Sequence, residues 1–144
     1  MEASKTQKGS SVEYKFFAWC LEQGFNISQP LCPDCPYDCI LETKTGKLLK
    51  LQIKKGYSAS NTNNSFCFKC RSNYSRNKGS QQHNYSKDEI DGFIVWYEKL
   101  PLNFLFIPIE KATKSDMVIC YQNLKNKNQN WYENYLIDEN TFNL

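Results

Sequence analysis

The chain has 144 residues, of which 40% are hydrophobic and 15% aromatic, and its formal net charge at pH 7 is +3. This length suffices for one hydrophobic core but not for two, so we expect a single domain over residues 1–144. No apolar run approaches the roughly 18 residues that cross a bilayer, and the start, MEASKTQKGSS, lacks the apolar segment of a secretory signal. We therefore expect no membrane partner and a cytoplasmic location.

The first predicted element is a helix. Ser10 followed by Glu13 fits a capping box, and apolar residues then recur at helical spacing up to Gly24. The pattern predicts a helix of about three to four turns that begins near Ser10 and is closed by the glycine.

A short strand over 25–29 and a proline-rich connection lead into a predicted hairpin, with strands over 37–42 and 48–55. Downstream, the pattern predicts the following elements in order: a polar loop over 56–65, a strand over 65–70, a long loop over 71–86, a helical turn over 87–91, buried strands over 92–97 and 104–109, and a helix near Thr113. This order of elements indicates an α/β fold with a mixed sheet.

The hairpin carries polar residues at unusual positions. With its turn near Thr45 and Gly46, position 38 lies roughly opposite position 53, so Asp38 is expected beside Gln52 and Lys54. Alternation puts Gln52 and Lys54 on one face of their strand. A carboxylate, a carboxamide and an amine would meet there, which suits a Mg²⁺ ion and a scissile phosphate.

The positive charge is concentrated in one stretch. Residues 43–87 contain no Asp or Glu but ten Lys or Arg residues, which suits a polyanionic partner and nucleic acid foremost. A solvated loop region that happens to be basic is the alternative. The expected DNA contacts are Lys44, Lys47, Lys69, Arg71, Arg76 and Lys78.

Three elements together resemble the PD-(D/E)XK nuclease superfamily: Glu13 in the first helix, Pro36-Tyr37-Asp38, and Gln52-Ile53-Lys54. The later segments NYSKDEIDGFIVWY and LFIPIEKA resemble small group I intron-encoded homing endonucleases of cyanobacteria. This resemblance spans about residues 9–112. It implies a restriction-endonuclease-like mixed β-sheet core flanked by helices. It also implies Mg²⁺-dependent cleavage of double-stranded DNA at a specific site, with 5′-phosphate and 3′-hydroxyl products.

The resemblance also implies roles for these residues. Asp38, Gln52 and Glu13 would hold Mg²⁺, and Lys54 would stabilise developing negative charge and orient the attacking water. Gln52 replaces the superfamily's usual second acid, which removes one negative charge and leaves the number of metal ions open. Glu13 has two interpretations, since it either closes the capping box or turns inward toward Asp38.

The seven cysteines and the single histidine, His83, allow a second metal interpretation. A CxxC…CxxC pattern is typical of structural Zn²⁺ sites, and its four members here are Cys32, Cys35, Cys67 and Cys70. The gap of 31 residues between the pairs exceeds the usual spacing of about 15 to 20. A zinc-stabilised nucleic-acid-binding module without catalysis is therefore an alternative to the nuclease.

Cutting both DNA strands requires two active sites, and closed two-fold symmetry supplies them economically. We therefore expect a homo-oligomer, either a dimer or, as the homing-endonuclease resemblance implies, a tetramer. A structure-selective nuclease, such as a Holliday junction resolvase, is a further alternative within the same fold.

Overall fold

The computed structural model describes residues 1–59, 63–76, 79–123, 130–138 and 140–142, with only the backbone described over 73–76 and 79–82. The elements, in chain order, are α1 (Lys5–Glu22), β1 (Asn26–Ser28), β2 (Cys39–Glu42), β3 (Leu48–Lys55), β4 (Tyr57–Ser58), β5 (Ser65–Lys69), β6 (Arg71–Arg76), β7 (Gly79–Asn84), β8 (Gly92–Trp96), β9 (Phe104–Pro108), a 3-10 helix (Ile109–Lys111), β10 (Asp116–Cys120) and a second 3-10 helix (Tyr132–Tyr135).

Helix α1 begins at Lys5 and not near Ser10, so the predicted capping box is wrong. The capping box is formed six residues earlier: the Gln7 amide donates to Ser4 Oγ at 3.2 Å, and the Ser4 amide donates to Gln7 Oε1 at 2.8 Å. Glu13 therefore lies inside the helix and caps nothing. No helix in the described part of the chain is both long and apolar enough to cross a membrane.

The central sheet has the strand order β1-β2-β3-β8-β9. Its β3 and β8 strands are parallel, and the other neighbours are antiparallel. Helix α1 packs against one face, where its buried Val12, Phe16 and Cys20 meet Leu51 and Ile53 of β3. The mixed sheet of an α/β fold is confirmed.

A second, three-stranded sheet of order β10-β5-β4 covers the other face. Phe68 of β5 packs on Phe93 of β8 with ring centroids 5.5 Å apart, and Met117 and Ile119 of β10 complete this second core. The helix predicted near Thr113 is wrong, because Asp116–Cys120 is a strand. Its alternating burial has the period of two that marks a half-buried strand.

The stretch predicted as a long loop over 71–86 is mostly a two-stranded ribbon. Strands β6 and β7 are antiparallel, with a register that runs from Arg71 opposite Asn84 to Arg76 opposite Gly79. The prediction failed because this polar segment lacks the apolar alternation by which strands are recognised in a sequence.

The β2–β3 hairpin was predicted with nearly its observed bounds. The Lys47 amide donates to the hydroxyl of buried Thr43 at 3.0 Å, and Gly46 closes the turn at φ +86°. Cys39 pairs with Leu51, so Asp38 lies opposite Gln52 and one residue from the predicted partner. The Asp38 amide donates to the Leu51 carbonyl at 2.9 Å, which extends the ladder to the carboxylate.

The observed start of α1 predicts how two serine substitutions change the free energy of unfolding. Ser4→Ala removes the capping hydroxyl and is expected to lower the free energy of unfolding by about 1 kcal/mol. Ser10→Ala, inside the helix, should be neutral or slightly stabilising because alanine is the better helix former. Urea unfolding followed by circular dichroism measures both. A larger loss from Ser10→Ala would contradict the observed helix start.

Candidate active site

Asp38 lies immediately before β2, with its carboxylate turned onto β3. Its Oδ2 atom accepts a hydrogen bond from the Ile53 amide at 2.7 Å, which fixes the carboxylate against the strand. Burial raises the pKa of Asp38, although the Ile53 hydrogen bond and the nearby Lys54 ammonium act in the opposite direction. The surroundings of Asp38 therefore disfavour the charged form of its carboxyl group.

Glu13 is the second carboxylate of this site. It lies on α1, half-buried, and close enough to Asp38 for the two charges to repel. Burial raises the pKa of Glu13, and the Asp38 charge raises it further. The capping alternative is excluded by the helix start, and the inward alternative agrees with this proximity.

Gln52 and Lys54 share the face of β3 that points away from α1. Their neighbours Leu51 and Ile53 are buried in the core under α1, whereas Gln52 and Lys54 are half-buried on the opposite side. The predicted division of the strand into an apolar and a polar face is confirmed. Asp38 precedes β2, and its carboxylate bonds the Ile53 amide, so it lies at the end of the ladder beside the part of β3 that carries Gln52 and Lys54.

Lys54 is enclosed by the root of the β6–β7 ribbon. Its Nζ atom donates to the Arg71 carbonyl at 3.5 Å and lies 5.5 Å from the centroid of the Tyr85 ring. Burial lowers the pKa of Lys54, and the ammonium of Lys69 also lowers it, while Asp38 and Cys70 act in the opposite direction. The amine is thus held near the carboxylate without a direct ion pair to it among the described residues.

Tyr85 and the Arg71 carbonyl were not foreseen from the sequence. Tyr85 packs edge-on against Phe93 at 5.6 Å and also against His83. Both groups flank the ribbon, which the sequence pattern predicts as a loop, so nothing in the sequence brings them to Lys54. Only the pairing of Arg71 with Asn84 would have indicated that Tyr85 and the Arg71 carbonyl lie beside Lys54.

The donor set suits a hard cation better than zinc. In the described ranges no group of three or more His, Cys, Asp or Glu side chains could hold a metal ion. The two carboxylates that the structure brings close together here are those of Glu13 and Asp38. A divalent cation would offset the burial that raises the pKa of both groups and the Asp38 charge that further raises the pKa of Glu13, and oxygen donors are those that Mg²⁺ prefers.

The proposed zinc site is not assembled. Cys32 is exposed and Cys35 half-buried, whereas Cys70 is buried and accepts a hydrogen bond from Thr113 Oγ1 at 3.7 Å. All four cysteines of the CxxC pairs belong to the described residues, and no metal-holding group is found there.

The predicted DNA contacts separate into two groups. Lys69 and Arg71 lie beside Lys54. The Lys69 ammonium lowers the pKa of Lys54, and the backbone carbonyl of Arg71 accepts a hydrogen bond from Lys54 Nζ. Lys44 and Lys47 lie in the hairpin turn at the far end of β3, about 20 Å away at roughly 3.3 Å per residue. The Arg76 side chain and Lys78 lie outside the described residues.

Comparisons with known proteins bear on the family and the fold of this chain. A sequence model of the PD-(D/E)XK endonuclease family matches residues 3–138. Curated protein sequences contain no significant match. Among solved structures, a bacterial homing endonuclease, I-Ssp6803I, superposes with a TM-score of 0.77 at 20% identity, covering 93% of this chain and 89% of that chain. At this identity the superposition shows a shared fold.

Glu13→Gln is expected to stabilise the protein at neutral pH in the absence of divalent metal. The folded-state pKa of Glu13 lies above its ordinary value, so the folded protein loses stability as pH rises from that value through the raised pKa. The advantage of the variant should be full above the raised pKa and vanish at pH 3 to 4, roughly below the ordinary carboxyl pKa.

Thermal unfolding in EDTA between pH 3 and 8 measures this difference. Glu22→Gln, an exposed substitution at the end of the same helix, is the control. A Glu13→Gln variant that is less stable than wild type at pH 7 would contradict the crowding of the two carboxylates.

Proposed function

The chain belongs to the PD-(D/E)XK endonuclease family, and on this premise we propose that it is a Mg²⁺-dependent, site-specific double-strand DNA endonuclease of the homing type. The observation that carries the proposal is the proximity of the Asp38 carboxylate to the Glu13 carboxylate and to the Lys54 ammonium, with Gln52 on the same strand as Lys54. Partly buried titratable groups whose pKa values are shifted by burial and by one another are typical of functional sites.

In the proposed mechanism, Asp38, Glu13 and Gln52 would hold Mg²⁺ through oxygen atoms. The bound ion would supply Lewis-acid stabilisation of the scissile phosphate and a lower pKa for water. Asp38 is well suited to this role, because the Ile53 amide occupies Oδ2 and leaves Oδ1 as a ligand. Gln52 contributes a neutral oxygen, so the site would carry one negative charge fewer than a site with three acids.

Lys54 would act on the reacting phosphate. Its ammonium can donate to a non-bridging oxygen and stabilise the charge that develops as water attacks phosphorus in line with the leaving oxygen. The pKa of Lys54 is lowered, first by burial, so a larger share of the side chain is neutral, and this neutral amine could instead accept the proton of the attacking water. Bond cleavage would leave a 5′-phosphate and a 3′-hydroxyl.

DNA recognition would centre on the ribbon beside the active site. A two-stranded β-ribbon is one of the two elements that the major groove of B-DNA admits. Lys69 and Arg71 at its root would contact the strand near the cut, with Arg able to read guanine and Lys mainly positioning phosphates. Lys44 and Lys47 would bind the duplex further along. The fold of I-Ssp6803I supports the homing type, and a homo-oligomer would supply the second active site.

Asp38→Ala and Lys54→Ala are each expected to reduce cleavage by at least about 10³-fold, because each removes a group that contacts the metal or the phosphate. Incubation with a genomic DNA library in Mg²⁺, followed by mapping of the breaks, measures the activity. Lys111→Ala, an exposed lysine after β9 at the other end of the sheet, should retain wild-type cleavage.

Duplex binding by the two variants should stay within a few-fold of wild type, since a folded DNA-binding surface remains. Full cleavage by either variant would remove the assignment. Preferential cutting of a four-way junction over linear duplex would instead identify a structure-selective nuclease.

Gln52→Glu is expected to strengthen metal binding, because a third carboxylate adds a negative charge to the donor set. We expect a Kd for Mg²⁺ lowered by about tenfold, equivalent to about 1.4 kcal/mol. In EDTA the variant should be less stable than wild type, because three carboxylates then repel one another. Calorimetric titration and thermal unfolding test the two effects, with Gln52→Leu as the variant that removes the donor. Unchanged metal affinity in both variants would place the ion elsewhere.

A further inference from the structure

A cleft of about 390 Å³ opens between the first turns of α1 and the ends of β3 and β4. Its volume falls in the range of roughly 300 to 1,000 Å³ that is typical of ligand sites. Residues that line it include Lys5, Lys8, Gly9, Lys55, Ser58 and Glu98. None of these has a role in the active site described above. Lys55 follows Lys54 on β3, and Gly9 lies about one turn before Glu13 on α1.

The cleft is positively charged. Among the described residues, Lys5 and Lys55 take part in no ion pair, whereas Lys8 binds Glu2 at 2.8 Å. Glu98 is exposed and offsets one of the three lysine charges. Lysine ammonium groups are compact point charges that bind phosphate groups without selecting a base. The chemistry of the lining therefore suits an anionic, phosphate-bearing ligand.

Gly9 forms part of the wall of the cleft. It lies inside α1, where glycine costs about 1 kcal/mol relative to alanine. A Cβ atom added at Gly9 would have no neighbouring atom within 4 Å, so no packing contact requires the missing side chain. The α1 backbone at this position is therefore open to the cleft.

We propose that this cleft binds a non-scissile backbone phosphate of the DNA strand that is cut, next to the phosphate held at Asp38 and Lys54. The inference rests on the proposed endonuclease function. Lys55 follows Lys54 at the end of β3, and alternation turns its side chain to the α1 side of the sheet. A DNA strand whose scissile phosphate lies against Lys54 would therefore reach the cleft by passing the end of β3, and the cleft would then help to fix the position of the cut along the strand.

The salt dependence of duplex binding tests the proposal. The full-length protein is titrated with a 30-base-pair duplex of arbitrary sequence in EDTA, over a range of salt concentrations. Lys5→Gln combined with Lys55→Gln should weaken binding several-fold and reduce the slope of log K against log salt by about 0.9 per lysine. Lys111→Gln should leave the slope unchanged. A wild-type slope in the double variant would overturn the proposal.

Gly9→Ala separates a binding role from a structural one. The substitution should raise the thermal stability, because alanine favours the helix and meets no neighbour, and at the same time it should weaken duplex binding. Greater stability with wild-type duplex affinity would contradict the proposal.

Free phosphate is distinguished by a further measurement. Thermal stabilisation of wild type by inorganic phosphate, lost in the double lysine variant while duplex affinity is unchanged, would identify a site for free phosphate and overturn the DNA assignment. Mapping of the breaks in genomic DNA distinguishes a failure of the proposed endonuclease function from a failure of the proposed phosphate subsite. Absence of cleavage by wild type would remove the endonuclease, whereas intact cleavage with an unchanged salt slope would remove only the phosphate subsite.

Discussion

The repulsion between the Asp38 and Glu13 carboxylates is the constraint on which the rest of the account depends. Both groups are partly withdrawn from water, and burial is the first cause of the raised pKa of each. Such an arrangement weakens the fold until a cation or a bound proton neutralises it, which supports the proposal that the two carboxylates are ligands of a divalent ion. The lysine that would face the phosphate stands beside them, fixed by the ribbon root.

The fold holds this site by anchoring β3 in the core. Helix α1 covers one face of the central sheet, where Leu49, Leu51 and Ile53 of β3 are buried, and the β10-β5-β4 sheet packs on the neighbouring strand β8 at the other face. Asp91 locks the parallel neighbour, because its carboxylate accepts from the Lys50 amide at 2.8 Å and its own amide donates to the Lys50 carbonyl at 2.8 Å. Rigid strands of this kind preorganise the side chains that they carry.

The sequence predicted the secondary structure best where apolar residues recur at a regular spacing along the chain. The alternation over Leu48–Lys55 predicted β3 and its polar face, whereas the start of α1 was missed because Lys5 to Gly9 contains no apolar residue to extend the helical pattern. The β6–β7 ribbon has no apolar alternation at all. The approach of Glu13 to Asp38 is a tertiary contact that no local pattern encodes, and only the family resemblance suggested it.

The central claim is that Asp38, Gln52 and Glu13 converge on one cation beside Lys54. Anomalous scattering from a crystal of the protein soaked in Mn²⁺ tests this most directly, since the ion is located without reference to activity. The account predicts a peak at roughly 2.0 to 2.4 Å from an Asp38 carboxylate oxygen, with the Gln52 carbonyl in the same coordination sphere. A peak on other residues, with Asp38 and Glu13 unliganded, would contradict it.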